Sequence, residues 1–189
     1  YWAREAKALG HNPIVLPAQF VAGSRQGQKT DINDAIACAV AGNHPHARAV
    51  AIKTEVEQGL QAVTRVHQAL TKQCTALNNM LIGLLFEFGI KLSKRTGELG
   101  RRLPEILEDG ANGLPHFFRQ TLDEMYEHYR EKQKQLRQIT ARLEAQIRQE
   151  KNCRKLLALE SVGPINALGL YLAISDGSAF RNGRDAAAC

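Results

Sequence analysis

Residues 56–88 read VEQGLQAVTRVHQALTKQCTALNNMLIGLLFEF. Within them Val56, Leu60, Val63, His67, Leu70, Cys74, Leu77, Leu81, Leu84 and Phe88 follow one another in alternating steps of four and three. That spacing is a heptad seam along one side of a long helix, with only His67 and Cys74 out of character. Burying a single Leu or Val contributes about 1.5–3 kcal/mol, so such a stripe must find a partner. Gly97 to Gly113 breaks the pattern, and a second seam then runs through Leu122, Met125, Tyr129, Leu136, Ile139 and Leu143, with Lys132 and Gln146 at its weak positions. Two long antiparallel helices joined by a short irregular segment are expected, a helical hairpin. The plain reading of such a face is an ordinary bundle core.

The second helix also carries Arg130, Lys132, Lys134, Arg137, Arg142, Arg148, Lys151, Arg154 and Lys155 against fewer acids. A solvated charged face is the simpler reading, and a flank for a nucleic-acid backbone is the functional one. Beyond it, Leu156 to Ala167 reads as two helices joined by a tight turn, a helix-hairpin-helix, in which backbone N–H groups and a helix N-terminus can meet a phosphate. Gly163 and Pro164 are the candidate contact residues there.

Ahead of the first seam the pattern changes. Trp2 to Leu9 is helical in character, Gly10-His11-Asn12 is a turn, and Pro13 to Leu16 reads as a short strand. Phe20 to Gln28 is rich in Gly, Ser, Gln and Arg and reads as a loop. Thr30 is a plausible N-cap for a helix from Asp31 to Val40, and Arg48 to Lys53 is a second candidate strand. The expected fold class is therefore mixed α/β at first, as one flank of a sheet, and mainly α afterwards.

The helix that Thr30 opens holds the chemistry. Asp31 and Asp34 lie three residues apart, on one face if the helix forms, with Cβ atoms about 5–6 Å apart. Two anions at ~5 Å repel by about 0.8 kcal/mol in water and by about 3 at an effective dielectric of ~20. Solvent, the positive end of the helix, Lys29 or a divalent cation must offset this. Carboxylate oxygens suit hard ions such as Mg²⁺, the chemistry of strand-cleaving sites. The plain alternative is a first-turn aspartate followed by a solvated one.

Several blocks resemble one family. Leu16-Pro17-Ala18-Gln19-Phe20-Val21, Lys29-Thr30-Asp31-Ile32-Asn33-Asp34-Ala35 and Ala51-Ile52-Lys53-Thr54-Glu55-Val56-Glu57-Gln58 occur in order. Leu85-Phe86-Glu87-Phe88-Gly89-Ile90, Glu108-Asp109-Gly110-Ala111-Asn112-Gly113-Leu114-Pro115, Val162-Gly163-Pro164 and Asp176-Gly177-Ser178-Ala179-Phe180-Arg181-Asn182-Gly183 follow. Together they resemble the DEDD transposases of the IS110 family of bacterial insertion sequences, most closely the IS1111 branch, over nearly the whole chain. The resemblance implies that Asp31 and Asp34 are the last two of four acidic Mg²⁺ ligands in a RuvC-like (RNase H-like) catalytic domain. The first Asp and the Glu would precede Tyr1, and a catalytic serine would follow Cys189.

It further implies that 1–53 belong to that catalytic domain, 54–151 to a coiled-coil arm through which protomers associate, and 152–189 to the start of a helix-hairpin-helix transposase domain. DNA, a structured guide RNA and a second protomer are the implied partners, in the bacterial cytoplasm and away from membranes. Lys29, Lys53, Gly163 and Pro164 are the expected nucleic-acid contacts, although the family's Pro-Gly before Gly163 is replaced by Glu160-Ser161. As an internal piece of such an enzyme the chain would be inactive by itself. The alternative is a non-catalytic coiled-coil DNA-binding or structural remnant of a decayed transposase.

Composition agrees with this frame. The 189 residues carry a formal net charge of +6 and 44% apolar content, which suits a folded domain with a phosphate-bearing partner. Four widely spaced cysteines without a CxxC pair suit free thiols. No apolar run approaches the ~20 residues of a membrane span. His44-Pro45-His46 as a metal pair, and Tyr126 or Tyr129 as a recombinase nucleophile, are both weaker than exposed-loop and seam-packing readings.

Overall fold

The computed structural model describes residues 1–45, 47–93, 97–175, 177, 180 and 182–187, so His46 of the His-Pro-His pair and much of 176–183 lie outside the described residues. Among these residues there are nine helices: α1 Trp2–Ala8, α2 Ala18–Gly23, α3 Asp31–Gly42, α4 Glu55–Glu87, α5 Glu98–Glu108, α6 His116–Gln149, α7 Lys151–Leu157, α8 Pro164–Ile174 and α9 Gly183–Ala187. The chain divides into two compact units, one of 1–61 with 150–189 and one of 62–149.

The expected α/β flank is not present: no strand occurs among the described residues, and the fold is mainly helical. The two segments read as strands have no regular secondary structure and share one main-chain bond, from the Val50 N–H to the Val15 carbonyl at 2.7 Å. A ladder repeats such bonds, and Pro13 and Pro17 remove the donors on either side of the first segment. The stretch read as a loop from Phe20 also begins as helix. Pro17 caps α2, and its carbonyl accepts from the Phe20 and Val21 N–H groups.

The 62–149 unit is a helical hairpin. His67 Nε2 lies 3.1 Å from Thr140 Oγ1, and the Tyr129 hydroxyl reaches Asn78 Oδ1 at 3.5 Å. Both pairs obey the same reversed register, so α4 and α6 run antiparallel. Their core joins Cys74, Leu81, Ile82 and Leu85 of α4 to Leu122, Tyr126 and Tyr129 of α6, with Leu99, Leu103 and Ile106 of α5 closing one end. The buried stripe on α4 differs slightly from the ideal seam. Thr64 and Leu85 are buried in place of their neighbours Val63, 38% exposed, and Leu84, half-buried, while Val56 and Phe88 of the expected seam stay 66% and 41% exposed. The turn from α5 into α6 is held by Arg119, whose guanidinium donates to the carbonyls of Ile106, Leu107, Asp109 and Leu114 and to Asn112 Oδ1.

The other unit is tied by polar contacts more than by large apolar side chains. Thr54 and Glu57 form a capping box at the start of α4: the Thr54 N–H donates to Glu57 Oε2 at 2.8 Å, and the Glu57 N–H to Thr54 Oγ1 at 3.2 Å. The same carboxylate accepts from the Tyr171 hydroxyl of α8 at 2.8 Å. Lys53 Nζ donates to the Leu172 carbonyl at 2.9 Å, and Arg4 donates to the Lys53 carbonyl at 2.7 Å. Ala37 and Ala41 are the buried face of α3, which packs on α2, and Cys153, Ala167 and Leu168 are buried in α7 and α8.

Candidate functional site

Thr30 opens α3 as the cap its sequence suggests. Its backbone is extended and its hydroxyl accepts the Asn33 N–H at 3.3 Å, while Asn33 Nδ2 donates to the Gln28 carbonyl at 2.9 Å. Gly27 makes the turn before it with φ +81, a conformation other residues rarely adopt. The cap sets Asp31 and Asp34 in the first turn, where the positive end of the helix favours negative charge.

Asp31 is exposed and Asp34 partly buried. The cation beside the pair is Arg25 rather than Lys29: Arg25 Nη1 lies 3.2 Å from Asp34 Oδ1, with the two side chains 30% and 43% exposed. Arg25 sits nine residues upstream, at the end of a turn, and no sequence spacing announces the contact. Lys29 is exposed and makes no ion pair among the described residues.

The remaining predicted site residues lie elsewhere. Lys53 is engaged with the C-terminal end of α8 through Leu172. Gly163 is the N-cap of α8 with φ −77 and ψ 166, and Pro164 is its first residue. The left-handed conformation in that turn falls on Ser161, φ +66, where a serine is strained by about 1–2 kcal/mol.

Glu57 was not singled out by its sequence, yet it is the most connected acid of its unit among the described residues. Burial would raise its carboxyl pKa, but the Thr54 backbone and side chain, the Tyr171 hydroxyl and the Lys53 charge together bring it below the usual range. Burial and the bond to Glu57 push the Tyr171 hydroxyl well up. Among the described residues no cluster of three or more His, Cys, Asp or Glu is placed to hold a metal ion, and no helix is long and apolar enough to cross a membrane. Cys38, Cys74 and Cys153 are free, and burial pushes the latter two thiols up.

Residues 4–90 match the family model DEDD_Tnp_IS110, described as a transposase, and this span contains α3 and both aspartates. The whole chain is 32% identical over 189 residues to a protein of Pseudomonas aeruginosa described as a probable family 20 transposase. Over its whole length the chain is similar to transposases, and over 4–90 to the DEDD transposase family. It is also 28% identical to the transposase for insertion sequence element IS1328 of Yersinia enterocolitica and to that for IS1111A of Coxiella burnetii, over 98% and 100% of its length. The chain spans about half the length of the curated relatives it matches, 56%, 54% and 52% of these three transposases. No solved structure matches it.

Proposed function

We propose that this chain is part of a DNA transposase, a recombinase that cuts and rejoins DNA strands in the bacterial cytoplasm as an insertion sequence moves. The observation that carries the reading is the capped first turn of α3, which sets Asp31 and Asp34 together inside the segment matched by the family model. Asp31 and Asp34 offer oxygen donors suited to a hard divalent cation such as Mg²⁺, which when bound polarises a phosphodiester and its attacking oxygen. Arg25 offsets part of the repulsion between the two carboxylates and orients Asp34. Lys29, exposed beside them, attracts the DNA backbone.

The catalytic part is 1–53, the arm 54–151, and the start of a helix-hairpin-helix domain 152–189. Gly163 and Pro164 bring the N-terminus of α8 to a phosphate, and Lys53 supports them by holding the other end of that helix. Protomers associate through a coiled-coil arm, a reading supported by Val63, Val66, Met80 and Phe86, which stay 38–60% exposed along α4. A structured RNA directs target choice. Two carboxylates bind a cation weakly, so the 189 residues by themselves cut nothing.

The test uses a full-length parent protein. Asp31→Ala or Asp34→Ala is expected to abolish strand exchange in Mg²⁺ while circular dichroism stays unchanged. Either variant recombining at the parental rate would show that the pair is only a helix start.

A further inference from the structure

The flank of α6 that follows its core stripe carries its own ordered series. Asp123, Glu127, Arg130, Lys134, Arg137, Ala141, Ala145 and Arg148 recur at steps of three and four, and all eight are exposed. At 100° per residue they fall within roughly an 80° arc of the helix. The series is acidic first and basic afterwards. Arg130 is paired with Glu127 at 2.7 Å, which closes the acidic part. Lys134, Arg137 and Arg148 have no ion-pair partner among the described residues. Glu131, three residues before Lys134, accepts instead from Gln135 Nε2 at 3.3 Å, and Glu144, four residues before Arg148, lies just beside the same arc. Across the hairpin, residues 62–74 of α4 add Arg65 and Lys72 and no acid.

A helix dipole attracts cations to its last turn only, and Arg148 alone lies there. Lys134 and Arg137 are therefore left without a local reason for their charge. Ala141 and Ala145 keep the surface low between Arg137 and Arg148, and the stretch from Lys134 to Arg148 is about 21 Å long. The flank has no aromatic side chain on which an unpaired base could stack, which disfavours single strands.

We propose that Lys134, Arg137 and Arg148 form a contact surface for the phosphate backbone of duplex DNA, binding without regard to sequence. This rests on the nucleic-acid reading above and adds to it a second contact, in the other unit. The acidic part of the same flank, Asp123 to Glu127, marks where the duplex leaves the arm.

The experiment is fluorescence anisotropy with the full 189-residue chain and a labelled mixed-sequence DNA duplex, from 50 to 200 mM salt. The triple variant Lys134→Glu, Arg137→Glu, Arg148→Glu is compared with Lys91→Glu, Arg101→Glu, Arg102→Glu, which lowers the net charge equally. Losing three phosphate contacts should reduce the slope of log affinity against log salt by about 2.7 and weaken binding more than about tenfold at 50 mM. The control triple should keep the wild-type slope. If the reversal variant does not fold, Lys134→Gln, Arg137→Gln, Arg148→Gln carries the same expectation.

Equal weakening by both triples, or by neither, overturns the surface while leaving the aspartate reading intact. Binding of duplex RNA in preference to DNA overturns the choice of partner. A wild-type chain that binds no duplex at 50 mM salt overturns the surface and the DNA reading of this chain together, and strand exchange by the full-length parent still tests the aspartates separately.

Discussion

The two units of this chain are held together by different physics. In 62–149, Leu81, Leu85, Leu99, Leu103 and Leu122 are at most 1% exposed and meet in one cluster. In 1–61 with 150–189, Trp2, Leu9, Ile14, Ile32 and Ile36 are all more than half exposed, and the long-range ties include Arg4 to Lys53, Lys53 to Leu172 and Glu57 to Tyr171. Apolar burial scales with area and is largely indifferent to pH, whereas a few charge-assisted hydrogen bonds depend on protonation. The hairpin should therefore fail through cavities and the other unit through titration.

The largest effect tests the hairpin. Leu81→Ala or Leu103→Ala removes a fully buried side chain from the cluster and is expected to cost about 2–5 kcal/mol, read as a lower urea midpoint for the 62–149 helices. A cost below 1 kcal/mol for both would mean that the cluster is not a close-packed core. An intermediate effect tests the other unit. The Glu57 pKa is lowered in the folded chain, so its stabilising contribution is complete above the ordinary Glu value of about 4.5 and disappears as pH falls below it. Glu57→Gln should flatten the stability profile of that unit below pH 5, measured by hydrogen exchange at the amides of α8. An unchanged acid profile would show that the Thr54 and Tyr171 bonds carry little weight.

The same contrast explains what could be read from the residues beforehand. A seam of ten positions leaves only a helix as an answer, and the α4 and α6 hairpin was legible from it. The burial of Thr64 instead of Val63 was not, because which of two adjacent positions turns inward depends on the partner helix. Thr30 before Asp31 was equally plain as a helix start, since a threonine cap has a local cause. Pro13–Leu16 and Arg48–Lys53 were misread because short apolar runs fit strand and extended coil alike, and only neighbouring strands decide between them. Arg25 at Asp34 and Tyr171 at Glu57 are tertiary contacts over 9 and 114 residues, for which no periodicity exists.

One residue crosses the line between the two kinds of unit, and it gives the smallest expected effect. His67 is a polar side chain in the apolar seam. The Thr140 hydroxyl donates to the Leu136 carbonyl at 2.8 Å, so its oxygen accepts from His67 Nε2, and that nitrogen carries the proton. Nδ1 is then a lone pair, buried and without a hydrogen-bond partner. An unsatisfied buried acceptor costs about 1–3 kcal/mol, against about 0.5–1.5 contributed by the bond at Nε2. His67→Leu removes both and leaves the Thr140 bond to Leu136 in place. The variant should be more stable than wild type by about 1 kcal/mol, seen as a higher urea midpoint at unchanged slope. A destabilised variant would mean that the His67–Thr140 bond outweighs the orphaned nitrogen, and that the hairpin too depends on a polar tie.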